Sequence, residues 1–316
     1  MQDDTIVREP VRFTSADGKT EIHACLWRAA DGATPKGIVQ LVHGMAEHIA
    51  RYDDFARFLV GRGYAVAGHD QLGHGASAAP QDWGVLPAKN GKDFLLADID
   101  ALADIVCGTL GRDVPLFLFG HSMGSYLVRS YITRRSRTLA GAILSGTGHV
   151  PAATSRAGHA LACAICARKG DAARSPLLHK LGVGAYAKQV EGAKTDCDWL
   201  SFSEDNVAAY RADERCGFMF SAGGYAMLTS LTAEVCSPKS ARRIPKTLPL
   251  LFISGAHDPV GDCGTGVERA CSMARDAGVL DVELKLYENM RHEILNEADR
   301  KDVYEDIAAW LDAHGR

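Results

Sequence analysis

Apolar and polar positions along the chain change period from segment to segment. VRFTSADG (11–18) and EIHACLWRA (21–29) read as strands separated by a two-residue gap, Lys19 and Thr20, which predicts an antiparallel hairpin. GIVQLVHG (37–44) is a short continuous apolar run, the pattern of a strand buried on both faces. A helix over 52–63 follows, with Phe55, Phe58 and Leu59 at helical spacing, and then a strand over 64–70. Residues 91–110 predict a long amphipathic helix with Leu95, Ile99, Leu102, Val106 and Leu110 along one stripe. The strand at 114–120 leads into a helix over 122–136 and a sixth strand over 139–146. From about 147 to 245 the pattern is helices and loops with no clear buried strand. It then resumes with a strand at 248–255, a helix at 264–277, a strand at 282–288 and a terminal helix at 299–313.

Such alternation predicts an α/β protein: a mostly parallel central sheet, helices on both faces, and a helical cap inserted after the sixth strand. The expected division is a core formed by 1–146 and 246–316, with 147–245 as the cap. The length of 316 residues and the 47% apolar content suffice for one large domain with an insertion. The net charge of -4, with acids and bases mixed along the chain, leaves no basic footprint for nucleic acid. MQDDTIVREP (1–10) has no secretory pattern, and no run of about 18 apolar residues occurs to span a bilayer. Nine scattered cysteines, an odd number, then read as reduced thiols in a cytoplasmic protein. Cys163 and Cys166 form a CxxC, but in an alanine-rich helical stretch with no second pair, so packing is expected there rather than redox or metal chemistry.

One junction carries chemistry. In FLFGHSMGSY (117–126) a buried strand meets a helix at Gly120-His121-Ser122-Met123-Gly124, the G-x-S-x-G pattern of a nucleophile elbow. The glycines at 120 and 124 remove side chains that would collide in a tight turn. Ser122 needs a base, and the base an orienting acid. With the elbow in this fold, the acid should follow a late strand and the histidine the last one. Asp258 follows the strand at 248–255, and Pro259 stops that strand from continuing. His292 follows the strand at 282–288. Asp262 lies further along a glycine-rich loop, His257 precedes the last strand, and His314 sits at the terminus, so these are weaker candidates. The oxyanion donors are expected to be the backbone N–H groups of Met123 and of Met45, the latter in the turn after the strand at 37–44.

HGMAEHIARY (43–52), GHDQLGHGAS (68–77), GHSMGS (120–125), SGAHDPVG (254–261) and RHEILNE (291–297) together resemble the α/β-hydrolase superfamily. More narrowly they are similar to its bacterial lysophospholipase and monoacylglycerol-lipase-like group, often labelled serine aminopeptidase-like. The cap segment 198–221 shares the likeness, which runs over roughly 10–313. The resemblance implies a triad of Ser122, Asp258 and His292 and oxyanion donors at Met45 and Met123. It makes Asp70 and His74 scaffold; Glu47, His48 and Arg51, near the oxyanion loop, read as supporting polar contacts, with ligand contact the alternative. Ser125 stands where many relatives carry a second glycine. The aminopeptidase label does not carry over, because the sequence offers no identifiable acidic anchor for a substrate amine.

The reaction expected from these residues is hydrolysis of a carboxylic ester through an acyl-enzyme, on a small acyl-ester substrate such as a monoacylglycerol or lysophospholipid. It requires no metal and no organic cofactor. Leu161, Ile165, Leu177, Leu178, Trp199, Phe202, Phe218, Met219 and Phe220 supply apolar groups in the cap; most should pack the cap and the rest line an acyl pocket. The stretch 159–167, flanked by Arg156, Arg168 and Lys169, could also touch a lipid surface transiently. Two other readings remain: an acyltransferase passing the acyl group to an alcohol, and a weakly catalytic small-ligand binding protein. The sequence is silent on chain length, head group and oligomeric state.

Overall fold

The computed structural model describes residues 5–134 and 137–315. Eight strands form one sheet: β1 (Ile6–Thr14), β2 (Glu21–Ala29), β3 (Ile38–Val42), β4 (Ala65–His69), β5 (Leu116–His121), β6 (Gly141–Ser145), β7 (Leu250–Gly255) and β8 (Val282–Tyr287). Their spatial order is β1-β2-β4-β3-β5-β6-β7-β8. β1 pairs with β2, and β2 with β4, antiparallel; every other pairing is parallel. β3 to β6 are buried throughout, as expected for strands covered on both faces.

Period-two alternation splits the core into two layers. On one face Val39, Leu41, Phe117, Phe119 and Ile143 pack beneath α1 (Asp53–Gly61) and α10 (Arg300–His314), which contribute Phe55, Leu59, Ile307 and Leu311. On the other, Leu118 and Leu144 meet α2 (Gly91–Leu110), α3 (Met123–Tyr131) and α9 (Thr265–Asp276). Leu95, Ile99, Leu102 and Val106 of the predicted α2 stripe are all buried, so that helix docks by the face its pattern indicated.

Between β6 and β7 lies the helical insertion: α4 (Ala152–Lys169), α5 (Pro176–Leu181), α6 (Glu204–Ala212), α7 (Ala222–Val235) and α8 (Pro238–Ala241). α7 packs against both α3 and α4 and so ties the insertion to the core.

Two local expectations are corrected. The hairpin does not turn over a two-residue gap: β1 ends at Thr14, which pairs with Glu21, and the turn runs from 15 to 20. Asp17 explains the difference. Its carboxylate accepts the N–H groups of Lys19 and Thr20 and the Thr20 hydroxyl, building a polar turn where alternation suggested strand. The helix expected over 122–136 begins at Met123 and ends at Tyr131, followed by a turn through Arg134; residues 135 and 136 lie outside the described residues, as do residues 1–4 of the N-terminal segment.

β4 and β5 lie on opposite sides of β3, so the strand order reverses there. Chains leaving the carboxyl ends of β3 and β5 diverge at this point and open a crevice, the usual ligand position in open α/β sheets.

Candidate active site

Ser122 stands between β5 and α3 with φ 52° and ψ −121°, a conformation an L-residue rarely adopts. Such strain costs roughly 1–3 kcal/mol and persists only where its surroundings over-determine it. Here the Ser122 N–H donates to Ser145 O at 2.9 Å, and the Ser122 carbonyl accepts the Ser125 N–H and its hydroxyl, at 2.9 and 2.6 Å. Ser125, the departure from the common glycine, fits fully buried and uses its hydroxyl to close the first helical turn. The turn also needs its glycines. A Cβ on Gly120 would lie 2.5 Å from Gly124 O, and one on Gly124 would lie 1.9 Å from Val42 O. β5, α3 and β3 are thus in backbone contact, and this pushes Ser122 outward. His121, the last residue of β5, turns its ring beside His292, with centroids 4.6 Å apart.

The loops after β7 and β8 bring two more predicted residues to the same sheet edge. Asp258 is fully buried. Its Oδ1 accepts the Val260 N–H at 2.8 Å; its Oδ2 accepts the Ser254 hydroxyl at 3.1 Å and pairs with His292 Nδ1 at 2.8 Å. With Nδ1–H donating to a carboxylate, Nε2 is left as the acceptor. Burial disfavours the charged imidazole, but the Asp258 carboxylate outweighs it and holds the His292 pKa above its ordinary value. His121 goes the other way: burial, reinforced by the His292 charge, pushes it down to about 4, so it stays neutral.

After β3, the turn from Gly44 to His48 faces Ser122; a Cβ on Gly44 would lie 3.0 Å from the Ser122 Cβ. Among the described residues the N–H groups of Met45 and Met123 donate no hydrogen bond. Glu47 shapes the turn: its Oε1 accepts the Gly44 N–H at 2.5 Å and the Tyr52 hydroxyl at 2.9 Å. Arg51 bridges Glu47 and Glu293, at 3.1 Å and, for the latter, by a fork at 2.5 and 2.7 Å. Burial raises the Glu47 pKa, but the Arg51 charge, aided by His121, His43 and the Gly44 amide, brings it down to about 2.

These elements enclose a cavity of about 180 Å³, lined at its base by Ser122, His292, Met45 and Met123 and roofed by the insertion. Of the apolar cap residues singled out in the sequence, Trp199 and Phe218 line it. Leu178 and Phe220 are buried elsewhere, while Leu177 and Phe202 are exposed. The Trp199 ring lies tilted against the His292 imidazole with centroids 5.1 Å apart, so both Trp199 and His121 contact that ring. Glu293 and Tyr210 also line the cavity, although sequence reasoning did not single them out. Glu293 had a signal in the charge beside His292; Tyr210 had none, since its partners lie more than 150 positions away.

The remaining candidates lie outside the cavity. His257 packs on Phe202, Asp262 is exposed, and His314 bonds Trp310 O and Asp281. Asp70 accepts the N–H groups of Ile49 and Ala76, and His74 is buried against His43 and Phe218, both structural placements. His48, Asp213 and Cys216 present ligand-type atoms within 4.8 Å of one another. The Asp213 carboxylate is already taken by His48 and by Arg215, whose cation opposes a metal there. Cys163 and Cys166 lie on α4 as free thiols.

A serine on a strained strand-to-helix turn, set in this sheet and beneath a helical insertion, makes the protein a serine hydrolase of the α/β-hydrolase fold. The family described as serine aminopeptidase, S33, matches residues 33–299, and the chain belongs to it. It is similar to a monoacylglycerol lipase of Mycolicibacterium smegmatis, 29% identical over 292 residues and 89% of each chain. In structure it is similar to a highly thermostable carboxyl esterase from Bacillus coagulans in complex with glycerol, with a TM-score of 0.90, 30% identity and coverage of 98% and 99% of the two chains. It is also similar to a lipase in an open form, with a TM-score of 0.88, 27% identity and coverage of 98% and 100%.

Proposed function

We propose that the protein hydrolyses esters carrying a single acyl chain, of the monoacylglycerol or lysophospholipid type, through an acyl-enzyme on Ser122. The observation that carries this reading is that Ser122 and a His292 already paired with buried Asp258 line one capped cavity. In the proposed reaction His292 Nε2 takes the Ser122 proton as Oγ attacks the ester carbonyl. The N–H groups of Met45 and Met123 hold the oxyanion. The C–O bond breaks, His292 returns the proton to the departing alcohol, and water activated by His292 then releases the acid. Asp258 keeps the proton on Nδ1 throughout.

Two features support an ester over a peptide with a free amine. Glu47 and Glu293, which line the cavity, are committed to Arg51, so neither is free to hold an ammonium group, and the third lining carboxylate, Asp196, is solvent-exposed and 3.9 Å from Arg211. The monoacylglycerol lipase similarity adds weight. Exposed Leu177 and Leu181, one turn apart on α5 beside the cavity-lining His179 and Val183, suit brief contact with a lipid aggregate.

The substrate class is tested with a panel of monoacylglycerols, lysophosphatidylcholine, diacylglycerols and p-nitrophenyl esters. Single-chain esters should be turned over at least about tenfold faster than diacyl ones, a modest discrimination for an enclosed apolar pocket. Equal or faster turnover of diacyl esters would refute the single-chain reading.

A pH profile tests the base. His292 must be neutral to act, and its pKa lies above the ordinary 6.5, so kcat/KM should be lost as pH falls through a midpoint above that value. In Asp258→Asn the carboxylate that raises it is gone while burial remains. The acid limb should therefore move to lower pH as the rate falls. An unmoved midpoint would contradict this assignment.

A further inference from the structure

The turn that carries the Met45 N–H is held from two sides, and only one of them belongs to the sheet. On the core side Glu47 clamps Gly44. On the other side lies Ala46, at φ 54°, again in a region that an L-residue enters at a cost. Its carbonyl accepts two hydrogen bonds, both from the insertion: the Tyr210 hydroxyl at 2.9 Å and the Gly217 N–H at 3.0 Å. Two residues on, His48 pairs with Asp213 of the same insertion at 2.8 Å. Tyr210 is itself fixed, with the Arg51 guanidinium 4.9 Å over its ring.

We infer that the cap assembles the oxyanion hole, with Tyr210 as a positioning residue that holds the Met45 N–H in place through the Ala46 carbonyl. The inference rests on the ester-hydrolase reading, in which Met45 is a donor. Both lone pairs of the Ala46 carbonyl are satisfied by cap groups, so lifting the cap removes the bonds that oppose the strain at Ala46. The turn then relaxes and the N–H leaves its aim. Closure over a substrate would complete the hole, and an open site would be slow toward esters in general.

Tyr210→Phe tests this, since it keeps the ring beneath Arg51 and removes only the hydroxyl. Loss of aim at one of two donors should lower kcat about 10–100-fold, with KM within about twofold. An alkyl trifluoromethyl ketone, which adds to Ser122 and places an oxyanion in the hole, should lose affinity by the same factor as kcat/KM. A non-hydrolysable ether analogue of a monoacylglycerol should bind as it does to the unaltered protein. Asp213→Asn, which weakens the same dock at His48, should show the same pattern at smaller amplitude. A purely structural role would weaken both ligands alike and lower the melting temperature in proportion; that result would overturn the inference. So would a raised KM with kcat intact, which would make Tyr210 a substrate contact. If the unaltered protein forms no adduct with the ketone, the ester-hydrolase reading itself falls, and this inference with it.

Discussion

Ser122→Ala should lower ester turnover by about 10⁶-fold, the scale reached when the nucleophile of a serine–histidine pair is removed. The loss is this large because the remaining groups act through the serine oxygen. His292 has no proton to take, and the acyl-enzyme cannot form. Fold stability should be nearly untouched. The strained turn is held by backbone bonds, from the Ser122 N–H to Ser145 O and from Ser125 to the Ser122 carbonyl, and these survive the substitution. Rates on p-nitrophenyl butyrate and a thermal melt by circular dichroism separate the two effects. An active Ser122→Ala, or one that unfolds well below the unaltered protein, would contradict this account.

Gly124→Ala should have the largest effect on stability. A Cβ there would lie 1.9 Å from Val42 O and 2.7 Å from His43 O, both backbone atoms of the central strand and its exit. Neither can swing aside as a side-chain tip would, so α3 must lift from β3. That opens the layer between sheet and helix where Leu127 and Val128 are fully buried. The cost should exceed about 4 kcal/mol, a large share of the 5–15 kcal/mol that domains usually have. Gly108→Ala is the matched control. It lies in the last turn of α2, with open space where the Cβ would go, and should be slightly stabilising, by up to about 0.5–1 kcal/mol. Urea titration of the two variants should therefore move in opposite directions. Parallel behaviour would mean that the close approach at Gly124 is not what holds the elbow.

Much of this arrangement is readable in the sequence because local pattern and chain order point the same way. The apolar run 114–120 reads as a strand, the glycines flanking Ser122 mark a turn, and Asp258 and His292 follow successive late strands. A parallel sheet then places all three loops at one edge, whatever the side chains between them. The hairpin turn was misplaced because Asp17 satisfies backbone groups locally, and alternation carries no trace of that. The insertion was harder to read. Helical spacing shows that Trp199, Phe202 and Phe218 are apolar, but not which neighbour each one meets. Trp199 and Phe218 reach the cavity, while Phe202 lies exposed beneath the Arg291 guanidinium. Glu293 and Tyr210 matter through partners far away in sequence, Arg51 and Ala46, and such pairings are set by tertiary docking alone.

Reaction of the folded protein with an alkyl fluorophosphonate, followed by peptide mass mapping, tests whether Ser122 is the nucleophile. One adduct per chain is expected, on Ser122, with its formation slowed at acid pH as His292 becomes charged. An adduct on another residue, or none on a protein that remains folded, would contradict it.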